Sequence, residues 1–249
     1  MFMDYLYDGS FEGLLTSIYL HYYEEKAEGI YPETNYQYSL MSPSRIVHTD
    51  SLLAAKVYDA IERKISHDSL RSVFYVYLSS HPCKENLILK YLLLGFKLGY
   101  KIEGYHTHPD ILPVIETARK VSFEAHRFLG LLRFAESDNF LYAAFEPDHN
   151  ILMLIADHFA ERLQRENFII HDRKRDLAVV YNQKDWILSD FHLHKDILFS
   201  NSETYFQTLW TEYFTHIGID SRKNKKLQAH FVPQRYRRNL IEFRMSYHS

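Results

Sequence analysis

Between Phe145 and Leu163 the chain reads FEPDHNILMLIADHFAERL and brings Glu146, Asp148, His149, Asp157 and His158 close together in sequence. A little further on, HDRKRD adds His171, Asp172 and Arg175. Carboxylates and imidazoles are the groups that general acid/base catalysis and metal-assisted phosphodiester chemistry require. Glu146, His149, His171 and Asp172 are therefore the catalytic candidates. His149 and His158 do not make one metal site if both are helical, because their separation advances about half a turn beyond two full turns at 3.6 residues per turn. Much of the cluster also has a purely structural explanation. Pro147 ends a strand, Asp148 or Asn150 can cap the helix that follows, and Asp157, Glu161 and Arg165 lie at spacings that pair along one helix face.

Two His-x-His pairs raise a second possibility. In GYHTHPD, His106 and His108 could face one metal ion, and FHLHKD offers His192 and His194 in the same way. A catalytic zinc needs three protein ligands, and neither pair has an evident third. GYHTHPD resembles the core of the zinc-dependent JAMM-type deubiquitinases. Where that pattern continues with Ser and Asp, this chain has Glu116 and Arg119, and an arginine cannot replace a metal carboxylate. The stretch is read instead as a surface turn in which Pro109 and Asp110 lead into a helix. No metal and no other cofactor is expected.

The basic residues point elsewhere. Arg222, Lys223, Lys225, Lys226, Arg235, Arg237, Arg238 and Arg244 crowd one region against Glu242, with His230, Phe231 and Tyr236 interleaved. Cations alternating with aromatics suit phosphate contacts combined with stacking on bases. HDRKRD places three more cations at the tip of a hairpin. Arg127 and Arg133 lie on HRFLGLLRF, where Arg133, beside an apolar run, is expected in a charge pair with Glu146.

The elements that position these groups follow from periodicity and punctuation. MFMDYLYDGS reads as a strand and turn, and Phe11 to Glu25 as an aromatic helix capped by Ser10. GIYPETNYQYSLMSPSRIVHTD reads as loop with some extended character. Leu53, Val57 and Ile61 mark a helix in TDSLLAAKVYDAIERKIS. DSLRSVFYVYLSS and KENLILKYLLLGFKLGY are two more helices, and Leu112 to Glu136 is a long one. NFLYAAFEP is a strand, NILMLIADHFAERLQRE a helix, FIIHDRKRDLAVVYN a hairpin and DWILSDF a strand. SETYFQTLWTEYFTHI, NKKLQAHFV and PQRYRRNLIEF close the chain as helices. The expected fold class is α+β, mostly helical, with a strand-helix-hairpin unit near 138–191. The chain is read as a single domain over 1–249, with a helical part at 1–136 and an α+β part at 137–249.

Composition narrows the function classes. The chain has 249 residues, 46% hydrophobic and 24% charged, as in ordinary globular proteins. The 8 glycines argue against a glycine-loop nucleotide binder, and the net charge of −3 means that any nucleic-acid contact must be local. Cys83 is alone, which excludes an internal disulfide and a cysteine zinc cage and fits a reducing cytoplasm. The N-terminus has acids where a signal peptide would be basic. LILKYLLLGFKLGY is broken by Lys90 and Lys97, too short and charged to span a bilayer. A cytoplasmic protein without membrane contact is expected.

Six stretches, DGSFEGLLTSIY, EAHRFLGLLRF, LYAAFEPDHNIL, HFAERL, FIIHDRKRDLAVVYN and VPQRYRRNL, together resemble a bacterial family assigned to DNA metabolism and DNA repair. The same domain of unknown function occurs behind uracil-DNA glycosylase-like domains. The resemblance implies a nucleic-acid role, with DNA the expected partner, and a radical S-adenosylmethionine protein as a second partner. It marks His126, Arg127, Arg133, Phe134, Tyr142, Glu146, Pro147, His149, His158, Phe159, Arg162, His171, Asp172, Arg175, Pro233, Arg235 and Tyr236. The nucleic-acid-binding candidates are then Arg127, Arg133, Arg162, Arg175, Arg235, Tyr236, Arg237 and Arg238. This chain has neither a glycosylase domain nor a CxxxCxxC cluster motif, so the reading is an accessory nucleic-acid-binding factor. The first alternative is an enzyme acting on nucleic acid through Glu146, His149 and His171, with Arg133 and Arg175 in the same cleft. The second is a protein-interaction module that docks through Tyr5, Tyr7, Phe11, Tyr19, Tyr22 and Tyr23.

Overall fold

The computed structural model describes residues 3–38, 43–137, 139–192, 201–217, 228–229 and 231–243. The fold is α+β and mostly helical, as expected, with two small sheets rather than one. Residues 1–122 and 123–249 form two compact units, and helix α5 (Leu112–Leu131) runs from the first into the second. Among the described residues no helix is long and apolar enough to cross a membrane.

The first unit is built around β1 (Met3–Tyr7), whose Tyr5, Leu6 and Tyr7 are at most 1% exposed. Burial on both faces explains why MDYLY lacks the alternation of a half-exposed strand. Its neighbours β2 (Ala27–Pro32) and β3 (Ser44–Ile46) pair with it in parallel, pairing Tyr5 with Ile30 on one side and Arg45 on the other. All of β3, and β2 from Gly29 onward, come from the stretch read as loop. Their prolines and tyrosines give weak strand signals, and the pairing groups of β1, which a lone strand would leave unsatisfied, impose the extended form. Helix α1 (Phe11–Tyr23) connects β1 to β2, as a parallel pair requires, and starts where Ser10 Oγ accepts the Gly13 N–H. Helices α2 (Ser51–Lys64), α3 (His67–Leu78) and α4 (Lys84–Leu98) complete the unit. Asp50 and Ser66 cap the first two, and Gly99 at φ +60° stops the third.

In the second unit, β4 (Ala135–Ser137), β5 (Phe140–Phe145), β6 (Asn167–Asp172), β7 (Leu177–Asn182) and β8 (Trp186–Asp190) form a sheet in chain order. Only β5 and β6 are parallel, and α6 (Leu152–Arg162) is their crossover. The long helix expected to reach Glu136 stops at Leu131. Ala135, Glu136 and Ser137 instead pair antiparallel with Tyr142, Leu141 and Phe140, so a tertiary partner overrides local helical preference. Helix α7 (Asn201–Ile217) follows the sheet. PQRYRRNLIEF is not an α-helix: Gln234–Asn239 is a 3-10 turn, in which Tyr236 is buried.

Register sorts the side chains of this sheet. Ala135 pairs with Tyr142, Tyr142 with Ile169, and Ala144 with His171, which puts Ala135, Tyr142, Ala144 and His171 on one face. Phe145 pairs with Asp172, and Phe168, Ile170 and Asp172 face the other way. That second face is packed by Phe128 of α5, Phe134 and Phe159 of α6 through edge-to-face ring contacts.

Candidate nucleic-acid interface

The loop that opens the acidic cluster is held by a residue that sequence reasoning missed. Glu124 of α5, 3% exposed, accepts the Asp148 and His149 backbone N–H groups through its two oxygens, both at 2.7 Å. It also accepts the Tyr236 hydroxyl at 2.5 Å, and that hydroxyl lies 3.2 Å from Asp148 Oδ2. The turn into α6 therefore has no side-chain N-cap, neither Asp148 nor Asn150: the carboxylate comes from another helix. Burial and the Glu124 bond push the Tyr236 pKa well up, so the phenol stays protonated and donates. Phe128 packs on the ring at 4.8 Å.

Arginines close over this loop. Arg175 binds Asp172 at 2.7 Å and donates to the carbonyls of Asp148 and Pro147. Asp172 is fully buried; burial raises its pKa while Arg175 pulls the other way. Arg235 Nε meets Asp148 Oδ2 at 2.8 Å and lies over the Tyr236 ring, and Arg238 reaches Glu146 at 3.5 Å. Arg237 donates to the Val232 carbonyl and stacks on Phe243. Three carboxylates, Asp172, Asp148 and Glu146, thus face the guanidiniums of Arg175, Arg235 and Arg238. A clamp so balanced has little positive field left for phosphate.

The other sheet face holds a different group. The Tyr142 hydroxyl and His171 Nδ1 are 2.8 Å apart, both residues at most 4% exposed. His171 Nε2 is buried and, among the described residues, has no hydrogen-bond partner. Phe191 packs edge-on against the imidazole. Burial lowers the His171 pKa, as do Arg173 and His192, against an opposing effect of Asp176. His149 is also shifted down by burial, but its charged neighbours are Glu124, Asp148, Arg175 and Lys174. The two histidines therefore have disjoint surroundings. His171 and Asp172, adjacent in sequence, point to opposite faces, so the catalytic candidates do not assemble around one point.

Arg133 does not pair with Glu146 as expected. Its partner is Glu242, at 2.8 Å, because Arg133 and Phe134 diverge at the end of α5 and Phe134 takes the apolar face. Arg133 and the exposed Arg162 instead line a groove of about 850 Å³ along α7. Phe206, Trp210 and Tyr213, at helical spacing, present exposed rings to it. Trp210 and Tyr213 stack with centroids 5.8 Å apart, and the Arg133 guanidinium lies 6.0 Å over the indole. The aromatic stripe was legible in SETYFQTLWTEYFTHI as rings four and three positions apart, a signal that reads equally as buried core. Arg127 is half-buried on α5, and no described contact joins it to either group.

The remaining motifs resolve locally. His108 Nδ1 accepts the Asp110 N–H, a turn contact within GYHTHPD. His192 lies 3.6 Å from Asp176, and His194 is outside the described residues. Arg222, Lys223, Lys225, Lys226, His230 and Arg244 are outside them as well. Among the described residues no three His, Cys, Asp or Glu side chains cluster as a metal site. Of the aromatics assigned to a docking surface, Tyr5 and Tyr7 are core, Tyr7 donating to the buried Glu85. Tyr19, Tyr22 and Tyr23 line a groove of about 680 Å³ with Lys56 and Phe96.

A family model described as a domain of unknown function (DUF4130) matches residues 82–242. The chain belongs to this family. No curated protein and no solved structure matches it.

Proposed function

We propose that this member of the DUF4130 family binds single-stranded nucleic acid in the α7 groove, as an accessory factor in DNA metabolism. The observation that carries the reading is the juxtaposition of Phe206, Trp210 and Tyr213 with Arg133 and Arg162 along one groove. Rings accept any base face, and flanking guanidiniums meet the backbone, so binding of this kind is tolerant of sequence and sensitive to salt. Arg162, which makes no ion pair among the described residues, supplies the phosphate contact, while Arg133 is oriented by Glu242 and supports the indole. The assignment to DNA metabolism and the pairing with a radical S-adenosylmethionine protein rest on the resemblance of the six sequence stretches. The test is a salt-titrated binding assay with single- and double-stranded oligonucleotides. Binding that favours single strands, with a salt slope reduced by roughly 0.7 in Arg162→Ala, supports the reading. Equal affinity for duplex, or no binding at low salt, overturns it.

A further inference from the structure

Beneath the sheet face that carries His171 lies a cavity of about 80 Å³, lined by Arg133, Tyr142, Arg173, Gln207 and Asn239 together with Ala135, Ala144 and Ile241. We infer that this cavity is a binding pocket for a phosphate-sized oxyanion, with Arg173 as its principal cation.

Four observations lead there. The lining is rich in donors and contains no carboxylate: two guanidiniums, two carboxamides and a phenol. Arg133, Arg175, Arg235 and Arg238 each meet a carboxylate, whereas Arg173, like Arg162, is not neutralised by one among the described residues. Its backbone is fixed by the Arg173 N–H bond to the Phe145 carbonyl at 3.1 Å, which sets the guanidinium at the end of β6 beside the Tyr142 hydroxyl. The cavity is the small compartment of this face, with space of about 80 Å³, and a water-sized or tetrahedral polar group suits it.

The Tyr142–His171 pair gives the pocket a fixed donor geometry. In the tautomer with its proton on Nδ1, His171 donates to the phenol oxygen at 2.8 Å and leaves the phenol O–H for a ligand, and burial of both side chains holds the phenol in place. Gln207 is tied to Glu203 through one amide hydrogen, which leaves the second for a ligand. An oxyanion would then be met by charge-assisted bonds from guanidinium and neutral bonds from amide and phenol, the combination that favours phosphate over water. HDRKRD, read from sequence as a hairpin tip with three cations, thereby divides its labour: Arg175 secures the loop and Arg173 serves the pocket.

The same chemistry is offered by free phosphate and by the terminal phosphate of a nucleic acid strand. The pocket borders the α7 groove and shares Arg133, Gln207 and Ile241 with it, but Arg173 and Tyr142 line the pocket and not the groove. The experiment measures inorganic phosphate binding to the full chain by calorimetry, for wild type, Arg173→Gln and Tyr142→Phe. Circular dichroism confirms the fold, and Asn239→Leu serves if Tyr142→Phe does not fold. Wild type is expected to bind, and Arg173→Gln to bind about 10- to 100-fold more weakly, as loss of a charge-assisted bond implies. A parallel arm compares oligo(dT) with and without a 5′-phosphate. A gain from the phosphate that Arg173→Gln abolishes identifies a strand terminus as the source, and phosphate binding without such a gain identifies the free ion; either supports the pocket. Absence of phosphate binding by wild type, or binding by both variants as tight as by wild type, overturns it. Unphosphorylated oligo(dT) reports on the groove alone, so failure of one site is distinguishable from failure of the other.

Discussion

Tyr236 donates its hydroxyl to the buried carboxylate of Glu124, 112 residues earlier in the chain, at 2.5 Å. The bond ties the C-terminal PQRYRRN segment to α5 and, through the same carboxylate, to the Asp148 and His149 amides. It turns an arginine-rich segment that reads from sequence as a nucleic-acid arm into part of the second unit's framework.

Removal of that carboxylate should destabilise the unit. Glu124→Gln places an amide N–H against donors, and each unsatisfied buried group costs about 1–3 kcal/mol. Tyr236→Phe should cost about 0.5–1.5 kcal/mol. Urea denaturation of the single and double variants should show strong non-additivity, since the two share one network. Additive losses, or a Glu124→Gln variant as stable as wild type, would contradict the network.

Asp172 depends on Arg175. Arg175→Met strands a fully buried carboxylate and should cost about 3–5 kcal/mol at neutral pH. Because Asp172 can escape by taking up a proton, the deficit should shrink as pH falls towards the carboxylate range, and Asp172→Asn in the Arg175→Met background should recover part of the loss. A deficit independent of pH would show that packing of the arginine, and not its charge, is what matters.

Histidine burial predicts an acid-sensitive fold. His21, His149 and His171 all have pKa values depressed below 6.5, with burial as the leading cause. A base with a depressed folded pKa contributes stability that is present above the unfolded value and is lost as pH falls from there towards the folded value. Stability should therefore decline on acidification below about 6.5. His171→Asn should flatten part of that decline relative to wild type. Asp172, with a raised pKa, acts in the opposite sense and is common to both proteins. Denaturation midpoints at a series of pH values check this, and parallel profiles for the two proteins would refute it for His171.

Arginines already bound to acids should contribute little to nucleic-acid affinity. Arg235→Ala with Arg238→Ala should leave the salt slope nearly unchanged, because those side chains face Asp148 and Glu146. Arg162→Ala should lower it by roughly 0.7. The reverse outcome would return the interface to the PQRYRRN segment.

The fold class, the cap at Ser10, and the strand-helix-hairpin unit could be read from local pattern, since each depends on neighbours in sequence. What could not be read depends on distant partners. Strands β2 and β3 are extended because β1 needs them, and β4 breaks the expected helix because β5 receives it. The candidate site behaved likewise. Residue types in FEPDHN and HDRKRD suggested one cleft, but alternation along β6 sends His171 and Asp172 to opposite faces. Glu124 carried no signal of its own, being one of two acids on an amphipathic helix. The groove aromatics of α7 carried one that exposure alone could interpret.

The central claim is that bases stack on Trp210. Tryptophan fluorescence reads it directly, because the chain has 2 tryptophans and Trp186→Phe leaves Trp210 as the reporter. Titration with oligo(dT) at low salt should give saturable quenching, weakened by added salt and much smaller with duplex of equal length. Tyr213→Ala in the same background should weaken binding by about 1–3 kcal/mol, the loss of one stacking platform. A fluorescence signal that stays constant through saturating oligo(dT), while the protein remains folded, would contradict the account.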